Sequence, residues 1–148
     1  MTQNNVYVRK ANYYETDQMG IVHHSNYIRY FEEARLYFMD RIGCGAAQME
    51  TDGIIIPNVD AYARYEKPVR FYDEVTIEVR LEKFNGATMR YAYTVRKENG
   101  AVAATGHTTH CFVDKDFKPM TLKRRFPGYY QTLKNHITKE EATDGKNL

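Results

Sequence analysis

Residues 13–35 read YYETDQMGIVHHSNYIRYFEEAR, and the stretch changes character half-way along. From Asn26 to about Ile42 the apolar residues Tyr27, Phe31, Ala34 and Phe38 recur at steps of three and four, the period of one helix face. Ser25 or Asn26 is placed to cap the start of that helix, and Gly43 and Gly45 end it. Before it, Asp17 to His24 is polar, and Val6 to Tyr14 is rich in aromatic and β-branched residues, which predicts a strand. The order is therefore strand, polar loop from Glu15 to Gly20, then a long helix.

Further along, the period falls to two. Val75, Ile77, Val79 and Leu81 alternate with Glu74, Thr76, Glu78, Arg80 and Glu82, the pattern of a strand with one buried face. Asn85-Gly86 and Asn99-Gly100 predict tight turns on either side of a strand from Thr88 to Lys97, with another from Ala101 to Val113. Ile54 to Tyr65 supplies one more, and a short stretch before it has no clear pattern. Consecutive hairpins imply an antiparallel sheet with one helix to cover a face, an α+β fold. A short helix is expected past Pro127, and Thr143 to Leu148 reads as a frayed polar tail.

The 148 residues fit one domain, 1–148. A net charge of +2 is too weak to favour a phosphate-backbone partner, so nucleic acid is not expected, and Lys123-Arg124-Arg125 reads as a solvated turn. Cys44 and Cys111 lie far apart, which suits free thiols in a reducing compartment. The start has no apolar signal core, and no run approaches the roughly 20 apolar residues of a membrane helix, so a cytoplasmic location is expected.

The chain has no Gly-x-Ser-x-Gly, no His-Glu-x-x-His and no phosphate-cradling glycine loop. Chemistry is left to the Asp17 to His24 loop. It precedes a helix whose first N–H groups lack internal acceptors and can hold an oxyanion. A carboxylate beside them can act as nucleophile or general base on a polarised carbonyl. Asp17-Gln18-Met19-Gly20 also suits an ordinary type I turn, and the residues alone leave both readings open. His23 and His24 are adjacent, and neighbouring side chains seldom converge on a metal. His107 and His110 should face opposite sides of one strand. Glu32 and Arg35 are spaced for a helical ion pair. Tyr27, Tyr30 and Tyr37 are first of all amphipathic core or interface residues.

The pattern Asp17, Gly20, Val22, His24, Tyr27, followed by Tyr30, Phe31, Glu32, Ala34 and Arg35, resembles the 4-hydroxybenzoyl-CoA thioesterase family. Tyr65-Glu66-Lys67-Pro68 and Phe71-Tyr72-Asp73 extend the likeness more weakly. The resemblance implies the hotdog fold, an antiparallel sheet wrapped around one long central helix, and an oligomer built from dimers, a homodimer or homotetramer. It makes Asp17 the catalytic carboxylate, as nucleophile or as base, and with a pKa of about 3.9 an ordinary Asp is ionised near neutrality. Gly20 then lets the backbone approach the thioester, amides near His24 hold the carbonyl oxygen, and Tyr27 supports the site.

The family places that site at a dimer interface, so Asn58 approaches from the second subunit. Thr88 stands where relatives carry a small polar residue. Some relatives bind the CoA phosphates with basic residues just before it. Asn85, Gly86 and Ala87 replace them here, which leaves Lys83 and Arg90 as nearby candidates. The expected activity is hydrolysis of an acyl-CoA ester to a carboxylic acid and CoA-SH, with no metal or redox cofactor. The alternatives are a non-catalytic acyl-CoA-binding or sensing module and a thioesterase for acyl-carrier-protein esters. A hydratase is a weaker third.

Overall fold

The computed structural model describes residues 5–138. The tail expected at Thr143 to Leu148 lies outside the described residues. Five strands, β1 (Val6–Lys10), β2 (Asn58–Tyr65), β3 (Glu74–Phe84), β4 (Thr88–Lys97) and β5 (Val102–Cys111), form one antiparallel sheet in the order β1-β3-β4-β5-β2. The long helix α1 (Ser25–Arg41) lies between β1 and β2 in the chain. Three shorter helices follow: α2 (Ala46–Thr51), α3 (Leu122–Arg125) and α4 (Pro127–Asn135). None of the described helices is long and apolar enough to cross a membrane.

The two sequence periods meet in the core. Val75, Ile77, Val79 and Leu81 of β3 are buried, as are Tyr27, Tyr30, Phe31, Ala34 and Phe38 of α1, and all join one apolar cluster. Phe31 stacks flat on Tyr93 of β4, with ring centroids 4.4 Å apart. The next strand must be thin at this level. A Cβ on Gly106 would come within 2.5 Å of the Phe31 ring and 2.3 Å of the Tyr62 carbonyl oxygen, so only glycine lets the helix settle here. β4, the central strand of the five, breaks strict alternation. Its outward Thr94 is covered in part by Arg80, which donates to the Thr94 hydroxyl at 3.3 Å.

Four boundaries differ from expectation. β1 stops at Lys10, and Tyr13–Glu15 forms a 3-10 turn instead of extending the strand, closed by the Glu15 carboxylate accepting from the Asn12 N–H at 2.9 Å. Neither Ser25 nor Asn26 caps α1. The cap position belongs to His24, the Ser25 hydroxyl pairs with His23 Nδ1 at 2.9 Å, and the Asn26 amide donates to the Glu15 carbonyl at 3.0 Å. α2 was not legible: six residues are too few to show a period, and its buried Met49 is its anchor. β2 begins at Asn58 rather than Ile54, since Pro57 has no N–H to give a ladder, and Ile55 instead bridges Val113.

At one edge of the sheet lies β2. It pairs with β5 on one side, no described strand lies on the other, and Val59, Tyr62 and Tyr65 are each about half exposed or more.

Candidate active site

The loop before α1 is a small hairpin. Thr16 and Val22 form an antiparallel bridge, the Asp17 N–H donates to the Ile21 carbonyl at 2.9 Å, and the Gly20 N–H donates to the Asp17 carbonyl at 2.8 Å. Gly20 has φ +80°, the left-handed position that closes a three-residue loop, and nothing lies within 4 Å of where its Cβ would be. Glycine is thus required here by the backbone angle rather than by crowding in this chain. The turn reading of Asp17 is real, and it fixes the side chain. Asp17 Oδ1 accepts from the Met19 N–H at 2.8 Å, while the other carboxylate oxygen has no hydrogen-bond partner among the described residues.

A cavity of about 400 Å³ opens beside that carboxylate. Asp17, His24 and Tyr27 line it from the loop and the start of α1, and Tyr65 to Pro68 line it from the end of β2. Gly20 belongs to the turn and not to the wall. The Tyr27 ring is 97% buried and stands 5.1 Å from Tyr65, and burial, with Tyr65 adding to it, pushes its hydroxyl pKa up to about 12. Tyr27 is therefore a neutral hydrogen-bond donor. Among the described residues the His24 N–H makes no hydrogen bond, so an unsatisfied amide stands at the N-terminal end of α1, where the helix dipole favours negative charge.

The His23 and His24 rings pack on each other, with centroids 4.1 Å apart at an angle of 30°. His24 also meets Tyr65 edge-on, with ring centroids 6.4 Å apart. No group of three metal-ligating side chains is found among the described residues. His107 and His110 face opposite sides of β5 as their spacing requires: His110 is fully buried, while His107 stacks on Tyr62.

The residue that positions this hairpin was not evident from the sequence. Glu15 is 96% buried, and one oxygen receives Arg9 Nη1 at 2.6 Å, the Tyr30 hydroxyl at 2.7 Å and the Asn12 N–H at 2.9 Å. Its own carbonyl accepts from the His23 N–H at 2.8 Å and from the Asn26 amide. Burial opposes the charge, but the Asn12 N–H, Tyr30 and Arg9 outweigh it and hold the Glu15 carboxyl below its ordinary range. Arg9 also reaches Glu33 at 2.8 Å, so β1, the hairpin and α1 are tied at one point. A Glu in a polar loop gives no sequence signal of burial. Only the approach of Arg9 and Tyr30 supplies it.

The remaining candidates gather elsewhere. Asn58 begins β2, seven residues from Tyr65, a distance of roughly 23 Å along an extended strand. Thr88 sits opposite Cys111 and bonds to the Asn85 side chain in its turn. Lys83 and Arg90 face each other across the β3–β4 ladder, with Arg90 paired to Glu82 at 3.2 Å. Within one chain none of these four lines the Asp17 cavity. Tyr65 to Pro68 do line it; they were not among the expected site residues, although the Tyr-x-x-Pro turn was the signal that could have found them.

The model of the thioesterase-like superfamily matches residues 12–127. The chain belongs to that family. A DHNA-CoA thioesterase structure from Staphylococcus aureus is 32% identical and superposes with a TM-score of 0.86 over 97% of this chain and 95% of its own. A protein of Aquifex aeolicus (strain VF5), provisionally named an esterase, is 44% identical over 73% of this chain and 84% of its own length. A Bacillus subtilis (strain 168) protein, provisionally named acyl-CoA thioesterase YneP, is 32% identical over 82% and 88%. The sheet, the central helix and these relatives together make this a thioester hydrolase of the hotdog fold.

Proposed function

We propose that this thioesterase hydrolyses acyl-CoA esters at the Asp17 cavity, releasing a carboxylic acid and CoA-SH. The observation that carries the reading is the half-satisfied Asp17 carboxylate: one oxygen is pinned by the Met19 N–H and the other is free, beside a cavity and the unpaired His24 amide. In the direct route the free oxygen attacks the thioester carbonyl, and the carbonyl oxygen takes negative charge against the His24 N–H and the α1 dipole. The C–S bond breaks, the thiolate leaves and is protonated, and water then cleaves the acyl-aspartate anhydride. In the alternative route Asp17 takes a proton from water as that water attacks, and returns it to the departing sulfur. Both need no more than the groups at this cavity and one water.

The working unit of the proposal is a dimer. An exposed edge strand with free N–H and C=O groups favours pairing with another strand, and the edge presented by β2 carries three exposed large apolar side chains. Antiparallel pairing of two β2 strands brings Asn58 of the partner subunit toward Tyr65, the position expected of it. Two measurements test the reading. Thiol release should appear in a screen of acetyl, medium-chain, long-chain and aromatic CoA esters, and light scattering should show at least a dimer. No thiol release from any ester removes the activity, and an active monomer removes the shared site.

A further inference from the structure

We propose that Arg35 heads a second pocket that accepts the far end of the acyl group and selects acyl chains ending in a hydrogen-bond-accepting oxygen. The inference rests on the dimeric thioesterase reading above and extends it to substrate choice. Arg35 lies ten residues along α1 from Ser25, roughly 15 Å from the Asp17 end. Its side chain, though charged, is almost wholly buried and lines a cavity of about 240 Å³ with Leu36, Met39 and Ile54 to Ile56.

Among the described residues no close carboxylate compensates the guanidinium, which has the Tyr93 hydroxyl as its polar neighbour. The carboxylate within ion-pair reach among the described residues is Glu32, at 3.9 Å and itself 61% exposed, whereas Arg9 holds its carboxylates at 2.6 and 2.8 Å. Glu50, also on the cavity, makes no ion pair with it. The sheet face that α1 covers carries buried polar groups of its own. Tyr93, Thr108 and His110 form a hydrogen-bonded chain of 2.6 and 2.8 Å, yet the Tyr91 hydroxyl and His110 Nδ1 have no partner. Buried polar groups left this way are uncommon in folded proteins, and these two lie on the strands packed against α1 rather than among the side chains that line the cavity. A planar fork of N–H donors among aliphatic walls suits a ligand with an apolar body and an oxygen at its tip, a carboxylate or a ring hydroxyl.

Topology links this pocket to the chemistry. Ile54 to Ile56 lead into the start of β2, and Tyr65 to Pro68 leave its end, so the two cavities stand at opposite ends of one edge strand. Antiparallel pairing of two β2 edges sets the start of one against the end of the other. Each Asp17 cavity then continues into the Arg35 pocket of the other copy.

The test compares two matched pairs of esters: adipyl-CoA against hexanoyl-CoA, and 4-hydroxybenzoyl-CoA against benzoyl-CoA. The native protein should favour the oxygen-tipped member of at least one pair by about tenfold or more in kcat/KM, since a site built to bond a polar group rejects the analogue lacking it. Arg35→Met should reduce that ratio below threefold, and Arg35→Lys should fall between. Thermal unfolding of each variant separates loss of fold from loss of choice, and the Lys variant keeps the test open if the Met variant does not fold. Co-expression with Asp17→Asn under two affinity tags then examines the partner's role. The purified mixed dimer of Arg35→Met and Asp17→Asn should regain about half the native rate on the preferred ester, because one of its two sites is intact. No preference in either pair, a preference that Arg35→Met leaves unchanged, or a mixed dimer no better than Arg35→Met alone overturns the assignment. No thiol release from these four esters, with release from others in the wider screen above, overturns this assignment alone, whereas no release from any ester sinks the acyl-CoA reading and this proposal with it.

Discussion

Glu15 and Asp17 stand two residues apart in the same hairpin and have opposite surroundings. Glu15 is buried, and one of its oxygens takes three donors, whereas Asp17 is partly exposed, with one oxygen held and one free on a cavity. The first carboxylate spends its charge inside the fold. The second keeps a lone pair for a substrate. The difference teaches that a carboxylate becomes available for chemistry when its neighbours fix its position without satisfying it, and Glu15 is one of the groups that fixes the strand carrying Asp17.

The largest expected effect is on turnover. Asp17→Asn preserves the turn, because Asn accepts from the Met19 N–H as well, yet removes the reactive oxygen. Hydrolysis should fall at least 100-fold, equivalent to about 2.7 kcal/mol of transition-state stabilisation, with thermal unfolding little changed. Activity within threefold of the native protein would break the comparison on the Asp17 side.

Glu15→Gln should show the reverse weighting. It leaves Arg9 with Glu33 alone among its carboxylates and gives the Tyr30 hydroxyl a poorer acceptor, so urea unfolding should report a loss of about 2 kcal/mol. Turnover should fall less than in Asp17→Asn. A stable but inactive Glu15→Gln would give Glu15 a direct chemical part that its contacts do not suggest.

Acid sharpens the contrast. The folded Glu15 carboxyl titrates below its ordinary value, so its charge adds stability that is fully present above the unfolded pKa of about 4.5 and is lost as pH falls through the depressed folded value. The stability gap between native protein and Glu15→Gln should therefore narrow as pH drops below about 4.5. A gap independent of pH would mean that shape and not charge accounts for the loss. Smallest of all, Gly20→Ala should cost about 1 kcal/mol from the left-handed backbone angle alone, since no atom crowds its Cβ position. A much larger loss would show that the hairpin cannot absorb any change beside Asp17.

Periodicity in the sequence was enough for the elements that pack by repetition. Tyr27, Phe31, Ala34 and Phe38 at helical steps and Val75 to Leu81 at alternate positions declared α1 and β3, and the Asn-Gly pairs declared the hairpins that order β3, β4 and β5. The motif from Asp17 to Tyr27 named four residues that do share one cavity, Asp17, Val22, His24 and Tyr27. These features were legible because they depend on residues close in the chain: a face, a turn, a loop before a helix.

What the sequence could not supply depends on contacts between distant segments. The end of β2 closes the wall around Asp17 because β2 crosses to the far edge of the sheet, 48 residues after Asp17 in the chain, by the difference between positions 65 and 17. Glu15 looked like a solvated loop residue until Arg9 and Tyr30 met it, and Arg35 looked like half of a surface ion pair until α2 and Ile54 to Ile56 closed over it. Local pattern fixes which face a side chain takes, since that follows from backbone geometry. Whether a charge on that face is solvated, satisfied or left wanting a partner is set by which other segments arrive there, and only the tertiary structure decides it.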